Sequence, residues 1–457
     1  MSRARLTLSL LVVLMLPACT SYGVLAPEAS PTTSPKAAPK PLPTFPPGIQ
    51  GVPTSQRCRE ELHLLCYVPA QLQRAYDLDP LYARGLDGSG VTIALVVWFG
   101  SPTIRADLAH FDSVFHLRAP PSFRIIEPQG PVQPFNPRSR GRVDWARETT
   151  LDVEWAHAMA PGANLLLVES PGLDDRASGL QHIIAAQDYV IRHHLADVIS
   201  ESWGESEAEV AGLQIGPLHK VLREARAEHI TVVFSSGDEG SAGDGGGPGD
   251  FFTLPVVSWP ASDPLVTAVG GLQLHLDASG RRIHPDSVWN ETFDRRLLRV
   301  VPSPTASGGG RSARFRRPAY QNSVADVVGR TRGIPDISLS AAGEGGAAVY
   351  HTFQGAGRGF FVGWGTSEAA PQFAGIVAIA DQAAGHPLGF IDPLLYRSAT
   401  DHSPGIVDVT RGGNGVAYRA FHRVSWIRGW EATAGYDLAS GLGTVDAAKL
   451  VDELSHG

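Results

Sequence analysis

Four short, almost unbroken apolar runs decide what this chain can fold into. They are residues 91–97 (VTIALVV), 164–169 (NLLLVE), 196–200 (ADVIS) and 230–235 (ITVVFS). A strand with one face in water alternates polar and apolar residues, whereas a run without alternation belongs to a strand covered on both faces. Residues 179–194 and 216–229, which lie between such runs, carry helical spacing instead. Strands that alternate with helices are joined by crossover connections, and these make a parallel sheet. The expectation is an α/β fold: a doubly wound, mostly parallel central sheet with helices on both faces. Turn sequences introduce the first two strands, at residues 85–90 (GLDGSG) and 160–163 (APGA).

The first 57 residues read differently. Arg3 and Arg5 precede the apolar run 6–16, which ends in residues 16–19 (LPAC). A basic head, a short greasy segment and a small residue before the cleavage point make an export signal, too short to span a bilayer. The ending resembles a bacterial lipobox, in which Cys19 would carry a lipid; an ordinary signal peptide with a chance cysteine is the alternative. Residues 21–57 hold nine prolines among Ser, Thr, Ala and Lys, a composition that reads as an extended tether. The expected division is therefore a signal at 1–19, a tether at 20–57 and one folded domain at 58–457. Two further cysteines, Cys58 and Cys66, are too few for a zinc site. In an exported chain the pair reads as one local disulfide, with two free thiols as the alternative. A net charge of -8 leaves no basic footprint for nucleic acid.

Three segments bear residues that can do chemistry. In residues 363–375 (GWGTSEAAPQFAG), glycines lead through Thr366 and Ser367 into an Ala-rich run. This puts Ser367 at a helix N-terminus, where free N–H groups face developing negative charge. The commonest job of a serine there is to cap the helix. In residues 147–162 (RETTLDVEWAHAMAPG), Leu151, Trp155, Ala158 and Met159 share one helical face. Glu148 and Asp152, four apart, place their carboxyl groups one above the other. Once buried, such a pair titrates as a coupled unit, which lets a carboxylate stand in for histidine as base; on a solvated face it would do nothing. His157 is expected to pack or to bond locally. Residues 233–240 (VFSSGDEG) run from a strand into a Gly-rich loop, so Asp238 projects from a strand's carboxyl end, where open α/β sheets place their sites. A lone Asp in such a loop is ordinarily turn chemistry.

Taken in order, these motifs resemble the sedolisin family of serine-carboxyl peptidases, which share the subtilisin-like fold. The series runs through residues 68–76 (VPAQLQRAY), Glu148 with Asp152, 199–204 (ISESWG), 236–238 (SGD), 307–312 (SGGGRS), 318–321 (PAYQ), 335–337 (PDI) and 365–367 (GTS). The resemblance implies Ser367 as nucleophile, Glu148 as its base, Asp152 as the group that orients Glu148, and Asp238 at the oxyanion. To donate a hydrogen bond there, Asp238 must be protonated, which implies work at acidic pH. None of the 16 histidines sits in the His-Gly-Thr-His setting of a subtilisin.

The resemblance also implies one structural calcium ion near the C-terminus. Its ligands would be the side chains of Asp408 and Asp437 and the carbonyls of Val409, Thr433 and Gly435, hard oxygens of the kind calcium prefers. The expected protein is a monomeric, exported endopeptidase acting on protein or peptide substrates, held at a bacterial membrane through Cys19 or secreted. A tripeptidyl exopeptidase of the same fold, and a silent binding lipoprotein, stay open. The chain departs from the family pattern in four places. Signal and tether are expected to leave no space for the usual folded propeptide, Glu239 and Glu368 add carboxyls expected to raise the coupled pKa values, and Trp364 is expected to narrow the cleft.

Overall fold

A computed structural model describes residues 47–172, 176–210, 212–243, 245, 251–293, 303–420 and 423–456. The export signal, Cys19 and the tether up to residue 46 lie outside the described residues. The four apolar runs form strands β1 (Thr92–Trp98), β3 (Asn164–Ser170), β4 (Val198–Glu201) and β5 (Thr231–Ser235), joined by β2 (Phe123–Ile126), β6 (Thr267–Gln273), β7 (Ser287–Val288) and β8 (Ile337–Ser340). Seven of them are parallel in the order β8-β6-β5-β4-β1-β3-β2, and short β7 pairs antiparallel with the end of β6. The strand order reverses at β1, which has β3 on one side and β4 on the other.

Both faces are covered, as unbroken apolar strands require. Ile93, Leu95, Val198 and Val233 pack with the helix side formed by α1 (Ile104–Phe115), α2 (Arg140–Met159) and α5 (Thr366–Ala384). Ala94, Val96, Ile199 and Val232 pack beneath α3 (Arg176–Arg192) and α4 (Gly212–Ala227). Each fully buried Val, Ile or Leu contributes about 1.5–3 kcal/mol relative to exposure, so a one-residue slip of any strand is costly. Leu151, Trp155, Ala158 and Met159 on α2 are all buried. His157 is buried, and its contacts are not local in sequence: Nε2 lies 2.9 Å from the Arg118 carbonyl oxygen and 3.2 Å from Asp112 Oδ1.

A hairpin of β9 (Gly346–His351) and β10 (Gly359–Gly363) leads directly into α5. Here one expected boundary is corrected. The folded region does not wait for Cys58: Ile49, fully buried, exchanges two 2.9 Å backbone hydrogen bonds with Phe360 on the open edge of β10. An apolar β-branched residue within a Pro-rich run found an unpaired strand edge, which composition averaged over the segment conceals. Cys58 and Cys66 are joined by a disulfide.

Candidate active site

The carboxyl ends of β4 and β5 meet the N-terminus of α5 and the flank of α2. Gly365 caps α5 with φ of 101°, which the left-handed region grants to glycine; a Cβ there would also lie 2.4 Å from Asp238 Oδ2. Ser367 is thereby the second residue of a 19-residue helix, at its positive end. Pro371 lacks an N–H, so the Ser367 carbonyl loses its helical partner. That oxygen lies 3.5 Å from the Ser202 hydroxyl.

Glu148 and Asp152 sit one turn apart on α2. Burial pushes Glu148 well above the usual carboxyl range; the Asp152 and Asp238 charges add to this, and a hydrogen bond from Ser367 opposes it. Its Oε1 is buried with no hydrogen-bond partner among the described residues. Asp152 is pushed up to about 8 by burial, against a hydrogen bond from Ser202 and with the help of Glu201. Ser202 donates to Asp152 Oδ1 at 2.6 Å, and Asp152 Oδ2 is buried with no partner among the described residues. A pair of this kind sheds its protons in two steps and carries a single charge between them.

Asp238 follows β5 and faces Ser367 across a polar cavity of ≈ 170 Å³ that both residues line. Its pKa is raised by burial against two hydrogen bonds from Thr366. The Thr366 backbone N–H and hydroxyl both donate to Oδ1, at 2.7 and 2.8 Å. With Oδ1 doubly occupied, Oδ2 is the oxygen left to hold a proton. The structure thus brings Glu148, Asp152, Asp238 and Ser367 together.

The two carboxyls adjacent to Ser367 and Asp238 in sequence take different places. Glu368 follows the nucleophile in sequence but turns inward, where Gln372 donates to Oε1 at 2.9 Å and the Ala347 N–H to Oε2 at 3.2 Å. Helical geometry turns successive side chains about 100° apart, so adjacency in sequence separates them. Glu239 lines the polar cavity and its Oε2 accepts the Asp238 N–H at 3.2 Å. Glu201 also acts on this group of carboxyls, its charge raising Asp152. Glu201 is fully buried and accepts a hydrogen bond from Trp203 Nε1. Ser202 and Glu201 are the site residues that motif reading passed over. Their signal was present: two polar residues within 199–204, at the end of a strand otherwise buried on both faces.

The five residues expected at calcium also converge. Asp408 Oδ2 accepts the Gly435 N–H at 3.0 Å, Asp437 Oδ2 accepts the Thr433 N–H at 3.0 Å, and Ser440 Oγ lies 3.1 Å from Asp437 and 3.5 Å from the Val409 carbonyl oxygen. Among the described residues no cluster of three or more His, Cys, Asp or Glu side chains forms a metal site. An ion here would rest on two carboxylates and three backbone carbonyls. This all-oxygen donor set fits a hard cation such as calcium.

The geometry matches known proteins. The model of the subtilase family matches residues 146–402, and the chain belongs to that family. Within it the likeness is to sedolisin-type members. Kumamolisin of Bacillus sp. (strain MN-32) is 30% identical over 395 residues, covering 85% of this chain and 63% of kumamolisin. Tripeptidyl-peptidase 1 of Dictyostelium discoideum is 28% identical over 363 residues, 76% of this chain and 52% of that protein. A solved Pseudomonas sedolisin, complexed with two molecules of pseudo-iodotyrostatin, superposes with a TM-score of 0.71 at 27% identity, covering 86% of this chain and 99% of that one. The chain thus spans roughly half to two thirds of the length of these two relatives.

Proposed function

We propose that this protein is a serine-carboxyl endopeptidase working at acidic pH, and the observation that carries the reading is Ser367 set between the buried Glu148–Asp152 pair and Asp238. Ser367 Oγ attacks the scissile carbonyl carbon while Glu148 takes its proton. Asp152, held by Ser202, orients Glu148 and shares its charge. Asp238, protonated on Oδ2, donates to the oxyanion beside the positive end of α5. Glu148 then returns its proton to the leaving nitrogen, and the acyl group remains on Ser367 until water, deprotonated by the same carboxylate, releases it.

Asp408, Asp437 and the carbonyls of Val409, Thr433 and Gly435 would hold a calcium ion that ties the C-terminal loops together. An exported location with a lipid on Cys19 completes the reading. Its supports are the order of basic, apolar and LPAC residues at the N-terminus and a disulfide suited to an oxidising compartment.

The test is cleavage of a denatured protein from about pH 3 to about pH 7, a range bracketing carboxyl titration, by wild type and Ser367→Ala. Internal fragments peaking on the acid side, lost by about 10⁴-fold or more in the variant, are expected. Uniform tripeptides from the N-terminus would instead make it an exopeptidase. A folded, calcium-loaded sample that cleaves nothing would leave a peptidase-shaped binding protein.

A further inference from the structure

Besides the polar cavity beside Asp238, a second and larger one opens on the other side of the reaction centre. It measures ≈ 310 Å³ against ≈ 170 Å³ for the polar one, and the two share no residue. The polar cavity is lined by Asp238, Thr366 and Ser367, the groups that handle the carbonyl carbon and its oxygen. The second is lined by Glu148 and by none of those three. Glu148 is the group that must protonate the leaving nitrogen, so it faces the leaving half of the substrate. Space reached past Glu148 lies on that half.

We propose that the cavity walled by Leu151, Val349, Phe361, Val362, Gly363 and Trp364 receives the side chain of the first residue after the scissile bond and selects a large apolar or aromatic one. This deepens the peptidase reading and rests on it. The walls are aliphatic and aromatic, and they are held in place. Trp364, 38% exposed at the rim, meets Trp289 edge to face with ring centroids 5.8 Å apart. Gly363 keeps the floor open, because a Cβ there would lie 2.7 Å from Val349 Cγ2 and 2.8 Å from Leu151 Cδ1.

Besides Glu148, the charge-capable lining groups are Arg147 and His351. Arg147 reaches toward Asp144 at 3.5 Å. His351 is buried and stacked flat on Phe361, with centroids 4.4 Å apart and planes 5° from parallel. Burial and the Arg147 charge lower its pKa to about 3, so the ring serves as a neutral aromatic wall at mildly acidic pH.

The experiment uses the full-length protein and peptides identical except for Phe, Leu, Gly or Asp immediately after the cleaved bond. Wild type is expected to show kcat/KM about tenfold or more higher for Phe and Leu than for Gly and Asp, the discrimination an apolar pocket provides. Val349→Phe, which fills the cavity, should bring the Phe-to-Gly ratio to within about threefold. Should that variant fail to fold, Trp364→Ala at the exposed rim should lower the same ratio. Equal rates for Phe and Gly in wild type, a preference for Asp, or an unchanged ratio in a folded variant would overturn the subsite while leaving the peptidase reading intact. Cleavage of none of the peptides would overturn both.

Discussion

Thr366 gives both its backbone N–H and its hydroxyl to one oxygen of Asp238, Oδ1, at 2.7 and 2.8 Å. The same hydroxyl accepts the Gly237 N–H at 3.0 Å, so its proton has one direction to point. The Asp238 carboxyl is thus oriented before substrate arrives, with Oδ2 as its proton-bearing oxygen.

Asp238→Asn keeps an acceptor for Thr366 and supplies an N–H donor that does not titrate. The variant should lose the decline in kcat/KM that wild type shows as pH rises toward neutrality. Asp238→Ala, with no donor, should cost about 10²–10³-fold in kcat at every pH. A wild-type-like alkaline limb in the Asn variant would show that another group sets it.

Ser202 acts through Asp152 as a positioning residue. Its 2.6 Å hydrogen bond favours the ionised carboxylate, so Ser202→Ala should move the acid limb of the pH–rate profile upward and lower kcat/KM by about tenfold, the worth of one charge-assisted hydrogen bond. A drop in Tm with an unmoved profile would make the contact structural alone.

Stability should fall as pH rises. Burial raises Glu169 to about 7 and Asp152, Glu368 and Asp381 each to about 8. Unfolded carboxyls titrate near 4 (about 3.9 for Asp and 4.3 for Glu). The folded state therefore binds more protons than the unfolded one between these limits. Its advantage is complete below about pH 4 and is lost as pH climbs through about 7 to 8. Thermal melting at fixed calcium should give a higher Tm at pH 4 than at pH 8, and the reverse order would contradict the burial of these groups.

Calcium should stabilise the C-terminal loops. Chelation is expected to lower Tm by an amount on the order of 5 °C, as loss of a ligand well above its Kd does. Asp408→Asn should melt lower than wild type and respond less to added calcium. A Tm indifferent to chelator would remove the ion from this site.

Much of this was legible in the chain itself. Unbroken apolar runs at 91–97, 164–169 and 230–235 require burial on both faces, and helical segments between them require parallel crossovers, so the α/β sheet was readable from local pattern. The i, i+4 spacing set Glu148 and Asp152 on one helix flank, because helical periodicity converts sequence distance directly into direction. Gly365 and the Ala-rich run after it likewise placed Ser367 at a helix start.

What lies beyond local periodicity was decided by the tertiary structure. Asp238 and Thr366 are 128 residues apart, and no spacing rule says that β5 ends against the N-terminus of α5. Glu368 stands beside the nucleophile in sequence and faces the interior in space, whereas Glu201, 49 positions after Asp152 and within a buried strand, bears on the catalytic pair through packing. The pKa shifts follow from burial, which belongs to the whole fold. Sequence determined which residues could carry the chemistry, since residue type and helical or strand period are local properties. Desolvation and long-range proximity come only from the closed sheet and its two helix layers, and they decided which carboxyls act together.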